Sequence, residues 1–431
     1  MVSVSTVFDA VVIGSGISGL TAALQLQRQG VQTLVLERRA VPGGLCGTFT
    51  LDGYEFVTGC NDFGGGMARI LREFGVDIGF LTPKARFQLA DHVVNLPPDL
   101  PTTLKLVRRV PGLVRALWQA RKSPDQSIGQ LVDEHIGDPL LADAVCLPVT
   151  GMMRSPDDVT VAEVRENFAR EHDYGYDKSC TPVGGPGAMI DAMVRRFAQL
   201  GGELRLDCEV LEVAGGANNM RVMTPAGPVS ARTVLSSAGR WAHYPAGTKP
   251  GIEAAVLLLA VDKSWRYPSG YHTLAWFQPG VAEQLRRLDA GLAVPRPNFH
   301  IFRSDLPEQP QHYTVNAFLP LPRGERNPLA QQRNELIEHV LQTVDASLPG
   351  FRSALIYQRF LSPVEYEARL GLCCSPSPFV PPPGFQKPPS YDAERDIHFL
   401  GTSVGPPGEH AGAAARSGKL AARRAMQRLA T

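Results

Sequence analysis

FDAVVIGSGISGLTAALQLQRQGVQTLVLERR, Phe8 to Arg39, reads as a strand, a glycine-rich turn, a helix and a second strand. After the apolar run Ala10–Ile13 come Gly14, Ser15, Gly16, Ile17, Ser18 and Gly19, three glycines at GxGxxG spacing. Leu20, Ala23 and Leu24 continue as a helix that Gly30 ends, and Thr33–Leu36 forms the next strand, closed by Glu37. A glycine turn between strand and helix, with an acid about 20 residues on, is the pattern of a dinucleotide-binding unit. Gly14 permits the tight turn, Gly16 lets the backbone approach a pyrophosphate, and Gly19 lets helix and strand pack closely. The helix start offers unbonded N–H groups to phosphates. Glu37, with Arg38 beside it, is placed to accept hydrogen bonds from ribose hydroxyls.

A second glycine-rich segment follows at once, PGGLCGTFTLDGYEFVTGCNDFGGG, Pro42–Gly66. A plain nicotinamide dinucleotide domain has no need of it. A longer dinucleotide does, because its far half must be cradled too. Near the other end stands GTSVGPPGEHAGAAARSG, Gly401–Gly418, small throughout except for Glu409 and His410. Between them lie TPVGGPGAMIDAMVRRFAQLGGELRLDCEVLEV, Thr181–Val213, and RPNFHIFRSDLPEQPQHYTVNAFLPLP, Arg296–Pro322. In this order the four segments resemble the phytoene desaturase, carotenoid isomerase and amine oxidase superfamily of FAD enzymes, and the resemblance covers most of the chain.

That resemblance implies an α/β protein. Its first part is a discontinuous, glutathione reductase-like Rossmann-type FAD-binding domain, about 1–85, 181–245 and 390–431. An α+β substrate domain comes from 86–180 and 246–389. The resemblance also implies non-covalent FAD. Gly43, Gly44 and Leu45 would line its pyrophosphate and flavin side, with Gly59 on the same loop. Val210 would offer its backbone to the adenine, and Gly401 and Thr402 would meet the pyrophosphate–ribityl stretch. Gly408, Glu409, His410 and Ala411 would open a helix whose positive end faces the flavin's pyrimidine end and stabilises its reduced anion. Two departures stand out. Val57 occupies a position where the family usually carries an acid, and Gly405, Pro406 and Pro407 include one extra residue.

Four polar residues are the candidates for chemistry. Glu409 falls where the amine oxidase branch places an aromatic residue. A carboxylate there holds a cation or moves a proton, or else caps the following helix. His410 bonds flavin carbonyls or points to solvent. Asn61 and Asp62 would lie beside the flavin, serving a polar substrate group or the local turn. The histidines show no ligand spacing, so no metal site is expected. Cys46 and Cys60 flank the flavin-side loops, but the family's covalent members carry their cysteine near the C-terminus, where this chain has only Cys373 and Cys374.

Composition bounds the rest. The chain has 431 residues, 44% hydrophobic and 20% charged, with a net charge of +1. That length suits two domains, and so small a net charge gives no global field to attract nucleic acid. The seven cysteines are odd in number and unpaired in spacing, which points to a reduced cytoplasmic compartment. The N-terminus lacks a signal-peptide pattern, and the longest apolar run, AAVLLLAV at Ala254–Val261, suits a buried strand better than a membrane span. KLVRRVPGLVRALWQARK, Lys105–Lys122, has six basic residues and no acid. Leu113, Val114, Leu117 and Trp118 share one helical face. The favoured reading is a core-facing helix with a solvated basic side; the other is a helix peripheral to a membrane. PSPFVPPPGFQKPPS, Pro376–Ser390, reads as a stiff connector.

The expected activity is removal of two electrons from a C–C or C–N bond of a largely apolar small molecule. With no second GxGxxG unit to bind NAD(P), the acceptor is expected to be oxygen or a quinone. A redox-neutral isomerase of the carotenoid isomerase type is the alternative. A flavin-binding scaffold without activity is a third reading. The sequence carries no signal for oligomeric state.

Overall fold

The computed structural model describes residues 7–430 except 90, 169–172, 176–177, 217, 239–243, 304–310, 373–378 and 383–384. Cys373 and Cys374, and part of the Pro376–Ser390 connector, lie outside the described residues. The strand Val7–Ile13 is apolar because it is covered on both faces. It pairs in parallel with Thr33–Leu36 on one side and Gly227–Ser236 on the other. Glu203–Arg205 extends the sheet beyond Thr33–Leu36, and Ile397–Phe399 runs parallel to the end of Gly227–Ser236. The antiparallel strands Glu212–Gly216 and Asn219–Thr224 complete a meander on the same sheet. Residues from the start, middle and end of the chain thus share one sheet.

Three helices, Ile17–Gln27, Gly185–Gln199 and Ala411–Leu429, contribute to the core on one face of this sheet. Small residues set how closely the first and last can approach. A Cβ on Gly418 would overlap the Ser18 carbonyl oxygen, so the two helix backbones nearly touch there. The opposite face holds a separate apolar cluster that includes Leu34, Val222 and Phe399.

The second sheet runs in the order Leu355–Leu361, Glu253–Asp262, His312–Leu321, Phe299–Phe302, Tyr271–Phe277, Lys84–Leu89, His92–Leu96. All its pairings are antiparallel except the one between Tyr271–Phe277 and Lys84–Leu89. The AAVLLLAV run is a central, fully buried strand here. Helix Ala330–Ser347 closes one face over Leu257, Leu274 and Val315.

The segment 86–180, which reads from its sequence as mostly helical, is so except at its start. It opens with the hairpin Lys84–Leu96, which joins a sheet whose other strands lie much later in the chain. Five helices follow, Leu100–Val107, Val110–Lys122, Ile128–His135, Pro139–Met152 and Val161–Phe168. The basic stretch is therefore two helices. Pro111 sits in the first turn of the second, where its missing N–H costs nothing, whereas inside one continuous helix it would remove a hydrogen bond. The core-facing reading of this stretch also fails. Val114, Leu117 and Trp118 are each more than half exposed, and Ala116 is the one buried residue given for Val110–Lys122.

Candidate functional site

The glycine turn has the shape its sequence requires. Gly14 has φ +96° and its N–H donates to the Leu36 carbonyl at 2.8 Å. A Cβ on Gly19 would overlap the Gly14 carbonyl oxygen, so helix Ile17–Gln27 starts in contact with the turn. Gly16 begins that helix with no side-chain cap, and there is no acid in its first turn. Where a Cβ of Gly16 would stand there is open space. An uncapped helix start beside open space at Gly16 has the character of an anion cradle.

Glu37 closes the second strand and is 7% exposed. Its Oε2 accepts from Ser15 N at 2.9 Å and from Ser15 Oγ at 2.7 Å, and its Oε1 accepts from Arg39 N at 3.0 Å. The carboxylate is thus tied to the turn that it flanks. Arg38 donates to the Gly371 carbonyl and stands exposed.

The second glycine loop docks on the first. Gly43 N donates to the Ser15 carbonyl at 3.0 Å, and Gly16 and Gly43 form a β-bridge. Gly43 and Gly44 have φ of +105° and +58°, the left-handed region that favours glycine. Leu45 is 36% exposed, and its carbonyl accepts from Cys60 N at 2.8 Å. This bond fastens the Gly59–Asp62 segment to the loop. Gly59 lies under Tyr366, whose hydroxyl donates to the Thr58 carbonyl. Burial raises the Tyr366 pKa, against the nearby Arg39 charge. The Cys46 thiol is raised by its hydrogen bond to Cys60 and by burial. Both cysteines are free.

From the far end of the chain, Gly401 reaches the same place. Its φ is +112°, its N–H donates to Ser417 Oγ at 3.2 Å, and its Cβ position lies 3.9 Å from Ser18 Oγ. Thr402 follows it, half-buried. Val210 packs against the apolar cluster beneath the meander.

The four polar candidates divide into two groups. Glu409 Oε1 lies 3.3 Å from Lys387 Nζ, and Lys387 also donates to the Gly408 carbonyl at 2.9 Å. Glu409 N donates to Asn167 Oδ1 at 2.9 Å. His410 is the N-cap of helix Ala411–Leu429, its Nδ1 accepting from Ala413 N at 3.2 Å, and its ring stacks on Tyr174 at 6.2 Å. The second group lies on the Gly59–Asp62 segment. Asp62 Oδ2 accepts from Ser179 Oγ at 3.1 Å, and the Asn61 carbonyl accepts from Thr181 Oγ1 at 3.3 Å.

The fold also brings in residues that sequence reasoning passed over. Thr314 Oγ1 donates to the Glu55 carbonyl at 2.7 Å, and Asn316 Nδ2 donates to the Val57 carbonyl at 2.9 Å. These bonds clamp the second sheet onto the strand that leads to Asp62. The same sheet carries Phe302, which stacks on His272 at 5.9 Å, on His300 at 6.2 Å and on Phe318 at 5.5 Å. Burial lowers the His272 pKa, while the Asp62 charge and the Asn61 backbone act to raise it. Burial pushes His300 down to about 4. Nothing in the alternating strands YHTLAWF and FHIF marks these histidines as more than strand residues.

A flavin dinucleotide fits these residues. The uncapped helix start and the open space at Gly16 suit a pyrophosphate. Thr58 Oγ1 is a buried hydroxyl with no partner, beside the loop that carries Gly59. Residues 17–426 match the model of the family described as flavin containing amine oxidoreductase. The chain belongs to that family.

Relatives of the chain include the lycopene-forming phytoene desaturase of Pseudescherichia vulneris. It is 22% identical over 92% of this chain and 94% of its own length. A prolycopene isomerase of an Oncidium hybrid cultivar is 54% identical over 52 residues, 12% of this chain. That stretch spans only 9% of the isomerase, so the first curated relatives are matched over about a tenth of their length. Cyclohexylamine oxidase from Brevibacterium oxydans has the same fold, with a TM-score of 0.67 at 14% identity, covering 99% of this chain and 100% of that one. The cofactor is FAD, as the dinucleotide motif and the family require. Among the described residues, no helix is long and apolar enough to cross a membrane.

Proposed function

We propose that this flavoprotein removes two electrons and a proton from a C–C or C–N bond of a largely apolar small molecule. The observation that carries the reading is the clamp between the two sheets. Asn316 and Thr314 hold the aromatic face of the second sheet against the strand that enters the flavin-side loop. Phe302 stacks there on His272, His300 and Phe318, an aromatic layer with few polar groups beside the Asp62 loop. An apolar pocket with sparse, placed polar groups is what a neutral organic substrate needs. Ser15, Gly16, Gly43, Glu37 and Gly401 would hold the dinucleotide, with Val210 at the adenine. When bound, FAD supplies the two-electron sink. The chain's own residues orient the substrate, exclude water and carry the proton. The binding is non-covalent, and oxygen or a quinone takes the electrons.

The test is anaerobic mixing of the purified, oxidised protein with panels of apolar amines and polyenes, with a photoreduced sample mixed alongside. Bleaching of the oxidised flavin by a panel member, with one product double bond per flavin, supports the reading. An isomerised polyene formed without net flavin reduction would favour the redox-neutral alternative, and a flavin inert to every panel would favour the scaffold.

The exposed helix pair has a place in this reading. Leu104, Val107, Val110, Val114, Leu117 and Trp118 are all at least 42% exposed. Arg108, Arg115, Arg121 and Lys122 stand exposed among them, and residues 100–122 contain no acid. Apolar side chains among exposed basic ones match an anionic lipid headgroup layer. The protein then works in the cytoplasm at a membrane surface, where apolar substrates and quinones concentrate. Sedimentation with phosphatidylglycerol vesicles at low salt should be lost in Leu117→Glu/Trp118→Glu. Equal binding by that variant, or none by the parent, would reject the contact.

A further inference from the structure

We propose that Cys46 and Cys60 are a dithiol that hydrogen peroxide closes to a disulfide, locking the two flavin-side loops together. The bond chemistry needs only this chain, and its consequence for FAD rests on the reading above. The backbone brings the cysteines side by side. The hairpin of Thr48–Leu51 and Tyr54–Val57 sets the register. Beyond it, Thr58 N donates to the Gly47 carbonyl at 2.9 Å, and Cys60 N donates to the Leu45 carbonyl at 2.8 Å. Cys46 stands between those two acceptors. One peptide plane and the 2.8 Å hydrogen bond separate its Cα from that of Cys60, which keeps the pair within the span that a disulfide bridges. The Cys46 thiol hydrogen-bonds Cys60, and both cysteines are free.

The two thiols differ in access. Cys46 is 6% exposed. Cys60 is half-buried, as are Gly59, Asn61 and Asp62 around it, so a small oxidant reaches Cys60 first. Burial and the bond to Cys60 hold Cys46 protonated, which suits a partner that waits to resolve an oxidised neighbour.

The balance has two steps. Peroxide oxidises the Cys60 thiol to a sulfenic acid: the O–O bond breaks, an S–O bond forms and one water leaves. The Cys46 sulfur then attacks the Cys60 sulfur: the S–S bond forms, the S–O bond breaks and a second water leaves. The two thiols lose two electrons and two protons, and peroxide gains them. Where oxygen takes the electrons of the reduced flavin, peroxide is the product, so turnover itself supplies the oxidant.

The consequence follows from what the cysteines belong to. Cys46 N donates to the Gly43 carbonyl at 3.0 Å, and Gly43 bridges Gly16 in the cradle. Cys60 lies on the segment that leads to Asp62. A covalent bond between them suppresses local opening of the two loops, so bound FAD leaves more slowly.

The test treats the purified full chain with stoichiometric hydrogen peroxide, blocks remaining thiols and maps the digested peptides by mass. A linked peptide pair holding Cys46 and Cys60 is expected, short of two hydrogens and split again by dithiothreitol. Cys146 and Cys180, both buried, should stay alkylatable after denaturation. Release of FAD into mild urea should be several-fold slower after peroxide, and peroxide should leave the rate unchanged in Cys60→Ser. Both thiols still alkylatable, or Cys60 carried on to sulfinic acid without a link, overturns the pair. A link that leaves FAD release unchanged overturns the lock. A colourless protein refutes the flavoprotein reading instead, and the peptide map still decides the pair.

Discussion

At the scale of single residues, the cradle depends on what is missing at Gly16. The open space there is the volume that a pyrophosphate would take. Gly16→Val would fill it with a branched side chain in front of the helix N–H groups. The expected outcome is a folded, colourless protein, read as far-ultraviolet circular dichroism of parent strength without visible absorbance. Glu409 makes a different prediction. Its pair with Lys387 is 33% exposed on the acid side, and such pairs contribute about 0–1 kcal/mol. Glu409→Gln should therefore change stability by less than about 1 kcal/mol in chemical denaturation. A tenfold fall in turnover with FAD still bound would mark a role in the chemistry. Unchanged turnover would leave Glu409 as the Lys387 partner alone.

At the scale of elements, the contact between helices Ile17–Gln27 and Ala411–Leu429 is set by backbone proximity at Gly418. The obstacle is the Ser18 carbonyl, which cannot swing aside as a side-chain tip can. Gly418→Val should cost about 1–3 kcal/mol or prevent folding, measured as the loss of thermal stability. A parent-like melting temperature would contradict the packing described. This scale also separates what was legible in sequence from what was not. The GxGxxG unit and the strand at Ala254–Val261 announce themselves through local chemistry: glycine spacing and a continuous apolar run. The hairpin Lys84–Leu96 and the break at Pro111 were harder. The hairpin's partner, Tyr271–Phe277, is far away in sequence, and no local pattern states a register.

The same holds for the site. Ser15, Gly16, Glu37 and Gly43 were readable because one motif contains most of what they do. His272 and His300 were not, since each is an ordinary member of an alternating strand until Asn316 and Thr314 bring their sheet over the Asp62 loop.

At the scale of the whole molecule, burial of neutral histidines makes the fold acid-sensitive. His398 is fully buried on the Ile397–Phe399 strand, neither ring nitrogen has a hydrogen-bond partner, and burial pushes its pKa from 6.5 down to about 4. The unfolded chain binds this proton first as pH falls. The stability is therefore whole above pH 6.5 and is lost as pH drops towards about 4, on the order of 3 kcal/mol. Urea unfolding at pH 7 and pH 5 should show the loss in the parent and a smaller one in His398→Phe. An equal loss in both would remove His398 from the account.

The family and the two-sheet architecture are consistent with many reactions, so the central claim is the bound, reducible flavin itself. The most direct measurement is the visible spectrum of the purified protein before and after acid precipitation, with anaerobic photoreduction of the intact sample. The account predicts a yellow protein that bleaches on photoreduction, releases all its flavin as FAD into the supernatant, and regains its colour when air or a quinone is added. A colourless protein, or flavin that stays with the precipitated chain, would contradict it.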